Sequence, residues 1–239
     1  MLNVVIPQKI LFNPRKISGL NLWLKADDIR LSSDSNIYLW NDLSGKGNNA
    51  SQGTAANQPT VRRAILNNRP AIKIDGTNDY LNADRIADLV EGTDVPISLF
   101  VVIRPRISQD QDVIAFDDGV NGLMNFAVNP TNFKITRRDD AGVSVVVTAS
   151  TYSANIWYIV YYIFYGTSID IFVNGVKTNA AMDVGILANL LTFTIGRVRP
   201  SSSIDFDGDI AEILFYNRAL NDFESYSINK YLNTKYRVY

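Results

Sequence analysis

From Leu20 onward, apolar residues alternate with polar ones or form short solid runs, and polar clusters separate the runs. The first such segments are Leu20–Leu24, Ala71–Ile74, Ile97–Arg104, Asp112–Phe116 and Met124–Val128. Further along come Asn132–Thr136, Val143–Thr148, Ile156–Phe164, Ser168–Val173, Thr192–Gly196 and Asp209–Tyr216. Period-two alternation and runs rich in Val, Ile, Tyr and Phe both predict β-strands. Two turns are legible between them. Tyr165-Gly166-Thr167 separates two strongly β segments, and Asn174-Gly175 sits between Ile169–Val173 and Val176–Thr178. Asn-Gly supplies the positive φ angles that a two-residue hairpin needs.

One segment breaks the pattern. Asn221–Lys235 carries Asn221 as an N-cap, with Glu224 three residues on as its reciprocal partner. Phe223, Tyr226, Tyr231 and Leu232 recur near helical spacing, and Lys235 suits the negative end of a helix dipole. These features predict one amphipathic helix packed on the strands. No internal repeat and no linker-like stretch divides the chain. The expected architecture is therefore all-β: a single two-sheet antiparallel sandwich with one short C-terminal helix.

The most apolar run, Ile156–Tyr165, is about half as long as a membrane-spanning helix. Its apolar residues occupy both parities, which fits a strand buried on both faces better than a row of tyrosines offered to a sugar. No membrane insertion is expected. Residues 1–18 contain Lys9, Arg15 and Lys16 among short apolar stretches, which does not read as a secretory leader.

Composition then removes whole classes of chemistry. The 239 residues include no cysteine and no histidine. That excludes disulfides, thiolate nucleophiles, Ser-His-Asp machinery and histidine-ligated metals. With 23 basic and 24 acidic residues the net charge is −1, which gives no general attraction to nucleic acid. Any catalysis would have to run on carboxylates, Lys, Tyr, Ser or Thr.

Three stretches carry a family resemblance. The first is Gly19-Leu-Asn-Leu-Trp23-Leu-Lys-Ala-Asp27-Asp28. The second is Trp40-Asn-Asp42-Leu-Ser44-Gly45-Lys-Gly47-Asn48-Asn49-Ala50, followed by Gln58-Pro59 and Asn68-Arg-Pro70-Ala-Ile-Lys-Ile74-Asp75-Gly76-Thr-Asn-Asp79-Tyr80-Leu81. The third is Phe206-Asp-Gly208-Asp-Ile210-Ala-Glu212-Ile-Leu-Phe-Tyr216-Asn-Arg218-Ala-Leu220, closing with Tyr231-Leu-Asn-Thr-Lys-Tyr236. Together they resemble the laminin G-like branch of the concanavalin A-like lectin/glucanase superfamily, framing residues 19–236. The resemblance implies a jelly roll of two antiparallel sheets. It implies sugar binding, adhesion or a structural role, with glycan hydrolysis in some members. Domains of this kind also occur in phage tail and capsid-surface proteins.

The same motifs have a physical reading. Asp42 and Ser44 satisfy turn amides while Gly45 and Gly47 permit positive φ; a phosphate loop would need a different order and a following helix. Asp75-Gly76-x-x-Asp79 is a turn between strands. In a regular strand Asp205, Asp207 and Asp209 would share one face, with Glu212 on the other and Gly208 disturbing the alternation. The run reads first as a solvated turn entering a core strand; a Ca²⁺ site and a glycoside-cleaving carboxylate pair are the alternatives. Its order differs from the E-x-D-x-x-E or E-x-D-x-E arrangement of superfamily glucanases. Arg137-Arg138-Asp139-Asp140 reads as a self-compensating hairpin tip, and Asp117-Asp118-Gly119 as a similar turn.

The expected organisation is an N-terminal arm over residues 1–18 and a jelly-roll domain over residues 19–239. Pro7 and Pro14 bar a regular helix or central strand from the arm, which would fold back on its own sandwich or lie across a neighbour. No catalytic, cofactor-binding or metal-ligating residue is designated, and the ligand-binding residues are left unassigned. The leading functional expectation is a non-enzymatic binding or assembly module, most concretely a phage virion protein of the capsid surface or tail. Its expected partners are other virion subunits, further copies of itself and a host surface glycan. The alternatives are a glycan hydrolase or lyase with a divergent carboxylate site, and an excised cell-surface adhesion domain.

Overall fold

The computed structural model describes residues 12–29, 34–198 and 204–239. Every strand expected from periodicity forms, with ends shifted by a few residues. They build two antiparallel sheets. One has nine strands, in the order Val176–Ala181, Ser168–Val173, Tyr158–Phe164, Ile97–Pro105, Asp207–Tyr216, Arg69–Asp75, Thr60–Leu66 and Ser35–Asn36. Its ninth strand, Leu20–Lys25, pairs with the C-terminal half of Asp207–Tyr216. The other sheet has eight: Ser144–Thr151, Asn132–Arg138, Leu123–Val128, Gln111–Asp117, Thr192–Ile195, Leu81–Asn82, Ala50–Ser51 and Leu39–Trp40.

The Asn174-Gly175 hairpin forms as expected, with φ of 48° and 83° and Val173 opposite Val176. These angles define the turn type whose twist matches the flanking strands. The helix spans Asp222–Tyr236, and its capping box is complete: Asn221 accepts from Glu224 N while Glu224 accepts from Asn221 N.

Burial follows strand parity. Leu22, Leu24, Leu99, Val101, Ile103, Val160, Tyr162, Ile213 and Phe215 point between the sheets into the main core. The opposite parity of the same strands (Phe100, Val102, Ile159, Tyr161, Leu214 and Tyr216) forms a second core under the helix residues Ile228, Leu232 and Tyr236. The apolar run Tyr158–Phe164 is thus a central strand buried on both faces. Tyr161 stacks between Phe100 and Phe172 with ring centroids 4.7 and 4.4 Å away, and does not stand open as a platform. Among the described residues no helix is long and apolar enough to cross a membrane.

Most of the expected arm, residues 1–11, lies outside the described residues. Residues 12–18 fold back onto the chain's own sheet. Phe12 packs on Tyr231 at 5.8 Å, Pro14–Lys16 forms a 3₁₀ turn capped by Asn13, and Ile17 joins the second core.

Several expectations need correction. The acidic run is not a solvated turn: Asp205 and Asp209 are buried, and Asp207 is largely so. Only two of the three carboxylates share a strand face: Asp207 and Asp209 have the same parity, while Asp205 lies before the strand. Asp205 forms an isolated bridge to Asp112, and its neighbour Phe206 is in the main core, before the strand begins at Asp207. Glu212 does not fall on the face opposite Asp209. The register slips between Ile210, opposite Ile103, and Glu212, opposite Val102. This bulge at Ala211 returns Glu212 to the outer face that Asp209 already occupies, because one extra residue restores the lost parity. The Arg137–Asp140 segment is a hairpin connection but not a self-compensating tip. Arg137 is buried over the Phe164 ring and donates to Val184 O, while Asp139 accepts from Val143 N and Gly185 N.

Candidate ligand pocket between the helix and the first strand

Each carboxylate of the Asp205–Asp209 run has its own guanidinium. Arg197 holds Asp205, Arg106 holds Asp207, and Arg104 holds Asp209 through Nε at 3.0 Å and Nη2 at 2.7 Å. Arg62 adds a second cation 3.6 Å from Asp209. Burial raises the Asp205 carboxyl above its ordinary range, and the Arg197 contact opposes that shift. Among the described residues no group of three or more acidic side chains is placed to hold a metal ion.

The two turns of the second motif form as their chemistry requires. Asp42 accepts from Trp23 N, Ser44 N and Asn48 N at 2.8–3.0 Å, so its own carboxylate fills the place a phosphate would take. Asp75 accepts from the backbone N–H groups of Thr77, Asn78 and Asp79. Burial opposes its ionisation, yet those three donors hold its carboxyl below the ordinary range. Asp79 goes the other way, to about 6, raised by burial and then by the nearby Asp75 charge.

The three resembling stretches converge elsewhere, on the outer face of the nine-stranded sheet. Strand Leu20–Lys25 buries alternate residues, which turns Trp23 and Lys25 outward, and the 3₁₀ turn Ala26–Asp28 places Asp27 beside them. Arg69 opens its strand at the same end. The helix contributes Ser227, Lys230, Tyr231, Thr234 and Lys235, whose spacing of three, four, seven and eight residues defines one helical face. With Phe12 these residues enclose a pocket of about 610 Å³. That size lies within the range of small-ligand sites.

Glu212 lies fully buried beneath this pocket. Its Oε1 accepts from Trp23 Nε1 at 2.6 Å and the Tyr231 hydroxyl at 2.9 Å. Its Oε2 accepts from Lys235 Nζ at 2.7 Å and the Tyr236 hydroxyl at 2.8 Å. Burial, reinforced by the Glu212 charge, pushes both tyrosines well above their ordinary pKa, so they remain donors. Lys235 also reaches Asp27 at 3.0 Å; Asp27 takes Arg69 Nη1 at 3.1 Å and has Lys25 Nζ at 3.9 Å. Donors therefore engage both carboxylates, and the two share one ammonium. A glycoside-cleaving pair needs one acid that carries a proton and one free to attack or to activate water. What the pocket keeps free is donor capacity on its cations.

Sequence reading did not select this site. Its signal was present in the outward parity of Trp23 and Lys25 and the helical spacing of the five helix residues. Nothing local linked the two, since almost the whole chain separates them. A second, polar pocket of about 400 Å³ lies on the other sheet, lined by Asn49, Ser51, Gln52, Tyr80, Asn82 and Arg85 among others.

Two large antiparallel sheets, a helix sealing one outer face and a concave pocket at its edge define a jelly-roll β-sandwich of the lectin type. The chain belongs to the concanavalin A-like lectin/glucanases superfamily, whose family model matches residues 75–224. The match takes in the end of the second resembling stretch and most of the third. No curated protein matches the sequence. Among solved structures, the binding domain of Paraclostridial Mosquitocidal Protein 1 superposes with a TM-score of 0.65 at 15% identity, covering 93% of this chain and 53% of that one. The receptor binding domain of botulinum neurotoxin D gives 0.64 at 13% identity, covering 94% and 53%. A Trypanosoma rangeli sialidase mutant gives 0.62 at 14% identity, covering 91% and 33%. At these identities the likeness is one of fold. The chain spans about half the length of the toxin binding domains and a third of the sialidase.

Proposed function

We propose that the protein is a non-enzymatic carbohydrate-binding module, carried on the surface of a phage virion as a capsid or tail component. The observation that carries the sugar-binding reading is the pocket between the helix and the first strand. It combines the aromatic side chains Phe12, Trp23 and Tyr231 with charged donors on rigid elements. Aromatic surface and fixed polar groups are what a sugar ring, apolar on its faces and hydroxylated at its edge, requires. Fold neighbours support the reading. The binding domain of botulinum neurotoxin DC is known in complex with SialylT, and the Trypanosoma rangeli sialidase in complex with sialic acid.

The non-enzymatic part rests on the carboxylates. Glu212, Asp27, Asp207 and Asp209 each face at least one cation at close range. The virion placement rests on the resemblance to phage tail and capsid-surface domains, and other virion subunits or further copies of this chain would then be its protein partners.

A bacterial-polysaccharide array tests the sugar reading. The protein should bind at least one glycan, and Thr234→Trp, which fills the pocket from its exposed rim, should abolish binding while leaving the melting temperature unchanged. Binding that survives Thr234→Trp overturns the pocket assignment, and release of reducing ends from a bound glycan overturns the non-enzymatic reading. Capsid, portal or tail genes beside this one would support the virion placement; a carbohydrate-utilisation locus would overturn it.

A further inference from the structure

The charge of the pocket specifies its ligand further. Four cations line it, Lys25, Arg69, Lys230 and Lys235, against one lining carboxylate, Asp27, and the buried Glu212 beneath. Three of those cations crowd the single Asp27 carboxylate, at 3.0, 3.1 and 3.9 Å. Lys235 is spent between its two acids. The other cations are not spent. Arg69 gives Nε to Lys235 O and Nη1 to Asp27 Oδ2, which leaves Nη2 without a hydrogen-bond partner among the described residues. Lys25 lies beyond hydrogen-bond reach of Asp27 and stands over the Trp23 ring at 5.4 Å. Lys230 is exposed and makes no ion pair among the described residues; it lies 5.9 Å from the Tyr226 ring centroid. A concave site whose cations outnumber its acids focuses positive potential on whatever enters it. The C-terminal end of the helix dipole opposes an anion here, but at an exposed end that effect is small and screened beside four full positive charges.

Resting on the carbohydrate reading, we infer that the pocket selects an acidic sugar and binds its carboxylate. The free Nη edge of Arg69 takes the carboxylate oxygens, since a planar guanidinium matches that group better than a point charge does. Lys25 and Lys230 supply charge from either side, and Phe12 and Tyr231 form the wall against which the ring lies. A sulfated or phosphorylated sugar offers the same charge without the planar two-oxygen geometry, so it binds more weakly. Asp27 orients Arg69 and Lys235 and does not touch the ligand.

The test measures affinity for matched oligosaccharides by calorimetry: a carboxylated form (uronic or sialic acid), its carboxyl-reduced neutral form and a sulfated form. The carboxylated sugar should bind at least tenfold more tightly than the neutral one, with the sulfated form between them. Lys230→Glu, at an exposed position with no ion pair to lose among the described residues, should cost about tenfold more on the carboxylated sugar than on the neutral one. Arg69→Lys should reduce the preference for carboxylate over sulfate. Equal affinity for acidic and neutral forms overturns this inference and leaves the carbohydrate reading standing. Binding of no sugar at all overturns both. An oligoglutamate that binds as tightly as the acidic sugar overturns the sugar assignment in favour of an acidic peptide.

Discussion

Lys235 Nζ lies 2.7 Å from Glu212 Oε2, joining the last turn of the helix to the bulge in the strand beneath it. Both side chains are buried, with exposures of 10% and 0%. A buried carboxylate is tolerable only when donors satisfy it, and Glu212 has Trp23, Tyr231 and Tyr236 as well. The contact therefore fixes the helix against the sheet and, with it, one wall of the pocket.

Removing one member of this pair should be costly. Glu212→Gln or Lys235→Met is expected to lower unfolding free energy by about 3 kcal/mol, because each leaves a buried charge short of its partner. The double variant should cost less than the sum, with a coupling of about 1–3 kcal/mol. Urea denaturation of the four proteins measures both quantities. Strict additivity would show that the two side chains do not act as a pair.

Asp79 should set a pH dependence of stability. Its carboxyl is raised from 3.8 to about 6, so the folded state prefers it protonated. The contribution is fully present below about pH 4 and is lost as pH rises through about 6. Asp79→Asn cannot ionise, and should gain on the wild type across that window by at most about 3 kcal/mol. Melting curves from pH 3.5 to 7.5 read the difference; parallel curves would refute it.

Gly208 has no room for a side chain. A Cβ there would stand 2.7 Å from Arg104 O and against the Phe206 ring. Gly208→Ala should therefore cost about 3 kcal/mol, the upper end of the usual overpacking range in a closed core. Gly53→Ala has nothing within 4 Å and serves as the control, with a shift near zero. Soluble yield and melting temperature compare them.

The helix start should respond as its capping box predicts. Asn221→Ala removes the acceptor for Glu224 N and is expected to cost about 1 kcal/mol. Glu224 also holds Arg218 at 2.6 and 2.9 Å, so Glu224→Ala should cost at least as much. Equilibrium denaturation decides; a variant as stable as the wild type would show that packing alone holds this end.

What was legible in the sequence was local. The long strands announce themselves because each has one parity facing a core, and the Asn174-Gly175 turn because its backbone angles favour those residues. Thr60–Leu66 was hidden. Ala64 has a φ of 55°, and the register slips between the Arg62–Ala71 and Leu66–Arg69 pairs, so no clean alternation survives in Thr-Val-Arg-Arg-Ala-Ile-Leu. The two-residue strands Leu39–Trp40, Ala50–Ser51 and Leu81–Asn82 are too short to carry a period.

The sequence by itself determined a helix-capped β-sandwich without histidine or thiol chemistry, through alternation, turn residues and a capping box. Each of these acts over a few neighbours, so the chain states them directly. Only the tertiary structure decided where the acids point and what they meet. A single bulge at Ala211 turns Glu212 outward under Trp23 and Lys235, and Arg197, Arg106 and Arg104 neutralise Asp205, Asp207 and Asp209, the last two from about a hundred residues away. Register and pairing across sheets sum many weak contacts between remote residues, and no short stretch of sequence contains that sum.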